Sequence, residues 1–107
     1  MDIFKALAEE NRLRMVSLLL QRDMCISELV EGLGLRQSNV SYHASVLQNC
    51  RLLKSYRRGQ RVFYAISMTF DRRHHKLKEY LEEKVKELPT FDEDVQRALA
   101  VRQTCKD

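Results

Sequence analysis

Apolar residues recur with a helical period through the first half of the chain and with a two-residue period just past its middle. Ile3, Phe4, Leu7 and Ala8 share one face over residues 2–9, with Asp2 in the first turn, where an acid meets the positive end of the helix dipole. A second helix follows, with Asn11 as its expected cap. Its apolar positions Leu13, Met15, Val16, Leu18, Leu19 and Leu20 lie nearly all round, the pattern of a central buried helix. Asp23-Met24-Cys25 interrupts it, and Ser27 offers a cap for a short helix over residues 28–33. Gly34 suits a left-handed turn, because a residue without Cβ meets no clash there. A further helix is expected over residues 37–50, with Val40, Ala44 and Leu47 on one stripe and Val46 beside it.

From Leu52 the period shortens. Leu53, Ser55 and Arg57 alternate with Leu52, Lys54, Tyr56 and Arg58, and beyond Gly59-Gln60 Val62, Tyr64 and Ile66 alternate with Arg61, Phe63 and Ala65. Two short alternating runs about a glycine predict a β-hairpin with RRGQR at its tip. Such a hairpin is marginal alone and has to lie against the helices. A long helix is expected over residues 70–88, on a stripe of Leu77, Leu81, Val85 and Leu88, until Pro89 stops it. A last helix over residues 93–103 follows, capped by Thr90 or Asp92. The organisation expected is one mainly α module with a small β-hairpin over residues 1–88, and a helical extension over residues 89–107.

The solvent side of the 37–50 helix is unusual. It carries Gln37, Ser38, Ser41, Tyr42, Ser45 and Gln48 and no charge, where an ordinary surface helix is rich in Glu and Lys. A short helix, a glycine-containing turn and a second helix form the helix-turn-helix signature, and small hydrogen-bonding side chains at the front of the second helix suit base edges and phosphates.

Charge sharpens this picture. The chain of 107 residues has a net charge of +4, yet residues 51–66 hold five basic groups and no acidic one, while residues 1–50 hold five basic and six acidic. A local excess of guanidinium groups predicts a polyanion as partner. No apolar run approaches the length of a membrane span, and the start MDIFKALAEE does not read as a secretion leader. The three cysteines, Cys25, Cys50 and Cys105, are odd in number and scattered, which predicts a reducing, cytoplasmic setting and no disulfide framework. No glycine-rich phosphate loop, zincin motif or serine elbow is present, so an enzyme is not expected.

Two segments, FKALAEENRLRMVSLLL and CISELVEGLGLRQSNVSYHASVLQNCRLLKSYRRGQRVFYAIS, together resemble the ArsR-type winged-helix repressors over about residues 3–67. The likeness includes the Q-S-x-V-S-x-H run, the leucine step into the hairpin and the R-x-G-x-x-x-x-Y-x-I wing. It implies a homodimeric winged helix-turn-helix whose first and last core helices form the dimer interface. It further implies a double-stranded, palindromic operator, released when a metal, metalloid or redox signal binds. Five positions depart from the family pattern. Ser27 stands where arsenic sensors have a second thiol, and Met68 and Phe70 occupy the zinc-ligand positions of the dimer helix. Ala44 replaces a leucine, and Arg51 replaces the usual turn glycine.

The resulting DNA-contact candidates are Arg36 just before the second helix, Gln37, Ser38, Asn39, Ser41, Tyr42 and His43 on it, and Arg57, Arg58 and Arg61 on the wing. Ser41 and Tyr42 are the expected base readers, and His43 either faces DNA or braces the helix. For the thiols, one reading brings Cys25, Cys50 and Cys105 together as three thiolates around arsenite or another thiophilic ion, since soft ligands select soft metals. A second makes them a reversible disulfide or polysulfide sensor, and a third leaves them as small buried hydrophobes. The rival from another class is a dimeric protein- or RNA-binding module, which would occlude the polar helix face or present stacking aromatics.

Overall fold

Helix α1 (Asp2–Leu7) leads into α2 (Glu10–Gln21) in a computed structural model that describes residues 2–104. Met15, Val16, Ser17, Leu18 and Leu19 of α2 are all buried, as an all-round apolar helix requires. Its cap is Glu9 rather than Asn11. The Glu9 carboxylate accepts the Arg12 amide at 3.0 Å, and Asn11, already inside the first turn, accepts Arg14 Nη1 at 2.9 Å instead.

Asp23-Met24-Cys25 breaks the helix to make a strand. β1 (Met24–Cys25) pairs antiparallel with β3 (Arg61–Ile66), which pairs on its other side with β2 (Leu53–Arg58), giving the order β1-β3-β2. The hairpin is therefore supported by a third strand that two residues of sequence do not announce. Phe63 and Ala65 face the core, while Val62 is exposed. The two-residue loop has Gly59 at φ 63°, the geometry that matches the twist of paired strands.

Helix α3 (Ile26–Leu33) starts two residues earlier than expected, with Cys25 at its cap position and Ser27 exposed inside the first turn. The buried Glu28 carboxylate accepts the Cys25 amide at 2.9 Å, which does the capping foreseen for Ser27. Gly34, at φ 67°, ends α3 and donates to the Val30 carbonyl at 2.9 Å. The second helix of the motif is α4 (Gln37–Asn49), with Val40, Ala44 and Leu47 buried.

The single helix expected over residues 70–88 is divided. α5 (Met68–Arg73) and α6 (His75–Lys84) meet at His74, whose backbone leaves the helical region at φ −131°, and a 3-10 turn (Val85–Glu87) follows. Residues 71–76 contain no apolar side chain, so nothing draws that turn into the core. Ser67 sets the earlier start by accepting the Phe70 amide at 3.0 Å.

α7 (Phe91–Thr104) lies along α3 and completes the same core. The two helices touch at Gly32 and the fully buried Ala98: a Cβ on Gly32 would stand 3.0 Å from Ala98 Cβ and 3.0 Å from Leu18 Cδ1. Among the described residues, no helix is long and apolar enough to cross a membrane.

Candidate nucleic-acid interface

The outer side of α4 is a continuous polar surface. Gln37, Ser38, Asn39, Ser41, Tyr42 and Ser45 are exposed, Tyr42 to 61%. Ser45 Oγ donates to the Tyr42 carbonyl at 2.7 Å, so its hydroxyl is tied to its own helix. Gln48 Nε2 donates to Ser55 Oγ at 3.1 Å, which joins the end of α4 to the first wing strand. Arg36 stands exposed at the cap position, beside the unsatisfied amides of the first turn. That end of the helix therefore presents a guanidinium, several small donors and the positive pole of the dipole together.

His43 turns the other way. Its side chain is 12% exposed; Arg12 Nη1 approaches His43 Nδ1 at 3.3 Å, and His43 Nε2 lies 3.8 Å from Glu9 Oε2. Arg12 Nε also donates to the Ala6 carbonyl at 2.8 Å, so the group links α1, the start of α2 and α4. His43 is thus held against α2 and does not join the exposed outer side of α4. Burial works to raise the Glu9 carboxyl, but the Arg12 and Asn11 amides and the fields of His43 and Arg12 outweigh it, so Glu9 titrates below the usual glutamate range.

The wing places Arg57 and Arg58 on exposed strand positions at the hairpin tip. Among the described residues, Arg36, Arg57 and Arg58 form no ion pair. Arg58 lies over the Phe63 ring at 5.8 Å, and Phe63 stacks on its cross-strand partner Tyr56 with ring centroids 5.7 Å apart. Tyr56 Oη donates to Asp23 Oδ2 at 2.6 Å. The wing is thereby tied down at its base while its tip projects. Arg61 is partly buried, and its Nη1 reaches Cys25 Sγ at 3.9 Å.

Among the described residues, Cys25 and Cys50 are both free thiols. Cys25 is buried, and burial pushes its thiol up from the ordinary value. Cys50 is half-buried, with Sγ turned to the Leu47 carbonyl at 3.3 Å. It borders a cleft of about 310 Å³ with Ile3, Phe4, Asn49, Arg51, His74 and Leu77. Cys105 lies outside the described residues. Among the described residues, no group of three or more His, Cys, Asp and Glu side chains is arranged to hold a metal ion.

A second cluster is one that sequence reasoning missed. Asp94 is completely buried and accepts Arg14 Nε and Nη2, each at 2.9 Å, and Arg97 Nη2 at 2.7 Å. The only trace of it in the sequence is an arginine inside the most apolar helix and an acid on the stripe that also carries Val95 and Ala98.

The sequence pattern of the bacterial regulatory protein, arsR family, matches residues 9–55. The transcriptional repressor SmtB homolog of Synechocystis sp. is 33% identical over 66 residues, which is 62% of this chain and 50% of that protein. The crystal structure of Rv0081 from Mycobacterium tuberculosis is 30% identical, covers 77% of this chain and 88% of that one, and has a TM-score of 0.58. This chain belongs to the arsR family. HlyU from Vibrio cholerae N16961, named a transcriptional activator, has a TM-score of 0.65 at 27% identity over 98% of this chain and 90% of its own. The arsR pattern runs from the cap of α2 into β2 and so contains the whole helix-turn-helix, whereas α5, α6 and α7 lie beyond it. The chain spans about half the length of the Synechocystis relative it matches.

Proposed function

We propose that this arsR-family chain is a homodimeric transcriptional repressor that sets α4 into the major groove of a palindromic DNA operator. The observation that carries the reading is the uncharged, hydrogen-bonding face of α4, flanked by the exposed guanidinium groups of Arg36, Arg57 and Arg58. In this reading Gln37, Ser38, Asn39, Ser41 and Tyr42 meet bases and nearby phosphates. Arg57 and Arg58 hold the backbone or minor groove, Arg61 supports them from the wing's inner side, and His43 fixes the helix from behind. Repression rather than activation is favoured by the Synechocystis relative, which is named a repressor. The dimer is supported by the exposed apolar side chains Phe4, Met68 and Tyr80 on α1, α5 and α6, each 58% to 60% exposed.

The effector in this reading is a thiophilic species, arsenite first, acting on Cys25 and Cys50 with Cys105. Its support is the position of Cys25, which starts α3 and touches Arg61 of the wing, so a ligand on that sulfur would disturb both. The low exposure and raised pKa of Cys25 favour a structural alternative, in which the thiols only fill the core. Arsenite titration of the wild type and of Cys25→Ser, Cys50→Ser and Cys105→Ser separates the two: binding indifferent to all three substitutions rejects the thiolate site.

The DNA reading is tested with a duplex selected from a random pool. Arg57→Ala with Arg58→Ala should weaken binding and flatten its salt dependence by roughly one logarithmic unit for each phosphate that the wing no longer neutralises. An unchanged slope at moderate salt rejects the wing contacts, and failure of the wild type to select any duplex rejects the function.

A further inference from the structure

The last four carbonyls of a helix have no partner within it, and at the end of α3 they are those of Val30, Glu31, Gly32 and Leu33. Gly34 N–H takes Val30. The other three are taken from outside the motif. Arg97 Nε donates to Glu31 O at 3.3 Å and Arg97 Nη2 to Gly32 O at 3.1 Å, while Arg14 Nη2 donates to Leu33 O at 2.8 Å.

Both guanidiniums are aimed by one carboxylate. Asp94 Oδ1 accepts Arg14 Nη2 at 2.9 Å and Arg97 Nη2 at 2.7 Å, and Asp94 Oδ2 accepts Arg14 Nε at 2.9 Å and the Thr90 hydroxyl at 3.2 Å. Two planar donors fixed on one buried acceptor have little freedom to point elsewhere. The carbonyls they hold lie immediately before Gly34, and the next residues are Leu35, Arg36 and the first residue of α4. The cluster thus sits under the turn that sets the direction of α4.

We propose that Asp94, through Arg14 and Arg97, positions the DNA-reading helix: α7 supplies from outside the motif the cap that fixes the α3–α4 turn. This rests on the DNA-reading role argued above and adds to it a determinant of specificity that touches no base. The close approach at Gly32 and Ala98 keeps α7 near enough for Arg97 to span two carbonyls. Without the carboxylate, both cations lose their orientation, α3 keeps three poorly held carbonyls, and α4 samples more than one angle. Binding through the wing and phosphates persists, whereas discrimination between sequences falls.

The test uses the full chain and compares wild type, Asp94→Asn and Arg97→Met. Arg97 is 42% exposed at its side chain, so its variant keeps the fold that Asp94→Asn puts at risk. Affinity is measured by fluorescence anisotropy below each unfolding transition, for a duplex selected by the wild type and for its scrambled counterpart. Loss of about tenfold or more on the selected duplex is expected, the size of one charged hydrogen bond, with the scrambled duplex nearly unaffected. Amide hydrogen exchange should rise at Gly34 and Val40 relative to the middle of α2. A lowered Tm with unchanged discrimination and unchanged relative exchange in Arg97→Met would overturn the proposal and leave the cluster a stability element. If the wild type selects no duplex, the DNA reading fails by itself, and unchanged exchange at the turn then overturns the positioning role independently.

Discussion

Glu9 does two things at once: it caps α2 through the Arg12 amide and stands 3.8 Å from His43. Because its folded pKa is depressed below the ordinary 4.5, its contribution is present above that pH and is lost as pH falls through the folded value. Glu9→Gln should therefore lower Tm at neutral pH, and the gap to wild type should close in thermal melts as the buffer is taken below about pH 4.5. A gap that is constant with pH would mean the carboxylate's charge is not what holds the cap. Gly32 illustrates a different constraint. Its φ is not positive, so the need is for space: a Cβ would press on Ala98, Leu18 and the Asp94 carbonyl, all between 3.0 and 3.2 Å. Gly32→Ala gains helix propensity but overpacks a helix crossing, and a net loss of about 1–3 kcal/mol in urea denaturation is expected.

At the scale of elements, the joint between α4 and β2 is tight. Arg51 holds φ 63° there, its carbonyl accepting the Ser67 hydroxyl. A left-handed backbone costs an L-residue with a side chain about 1–2 kcal/mol, part of which glycine's larger unfolded-state entropy would cancel. Arg51→Gly should thus raise stability by about 0.5 kcal/mol, checked by chemical denaturation. What the sequence disclosed follows from length and periodicity. α2 and α4 are long enough for their stripes to be read, and the glycine between alternating runs marks the hairpin. β1 has only two residues, so it offers no period, and its pairing with Tyr64 and Phe63 depends on a fold already made. The break at His74 is hidden because Leu77 and Leu81 continue a regular stripe, while the charged run before them has nothing to bury. Arg36, Tyr42, Arg57 and Arg58 are legible as exposed polar groups. The inward turn of His43 and the Arg14–Asp94 pair, 80 residues apart in the chain, depend on tertiary contacts that no local pattern encodes.

At the scale of the whole molecule, the proposed dimer has a candidate contact face. The chain's apolar residues are buried around α2, yet Phe4, Met68 and Tyr80 stay 58% to 60% exposed on α1, α5 and α6, and Phe4 shares one cleft with the partly covered Ile3 and Leu77. A twofold contact through this face would pair the helices that flank the reading motif and leave the outer polar side of α4 and the wing outside it, so that two reading heads address one duplex. The linkage has a consequence for binding. In the proposed dimer each head alone would make a modest interaction, and joining two would turn the second contact into an intramolecular event, a gain of about a hundredfold or more. Phe4→Glu places a charge in that face, at the cleft beside the last turn of α4, and leaves the outer polar side of α4, the wing and the Asp94 cluster unchanged. Sedimentation should then show a folded monomer, and affinity for a full palindrome should fall by about a hundredfold while affinity for an isolated half-site stays near the wild-type value. Dimers that persist with Phe4→Glu, or equal losses on half-site and palindrome, would place the twofold contact elsewhere on the molecule.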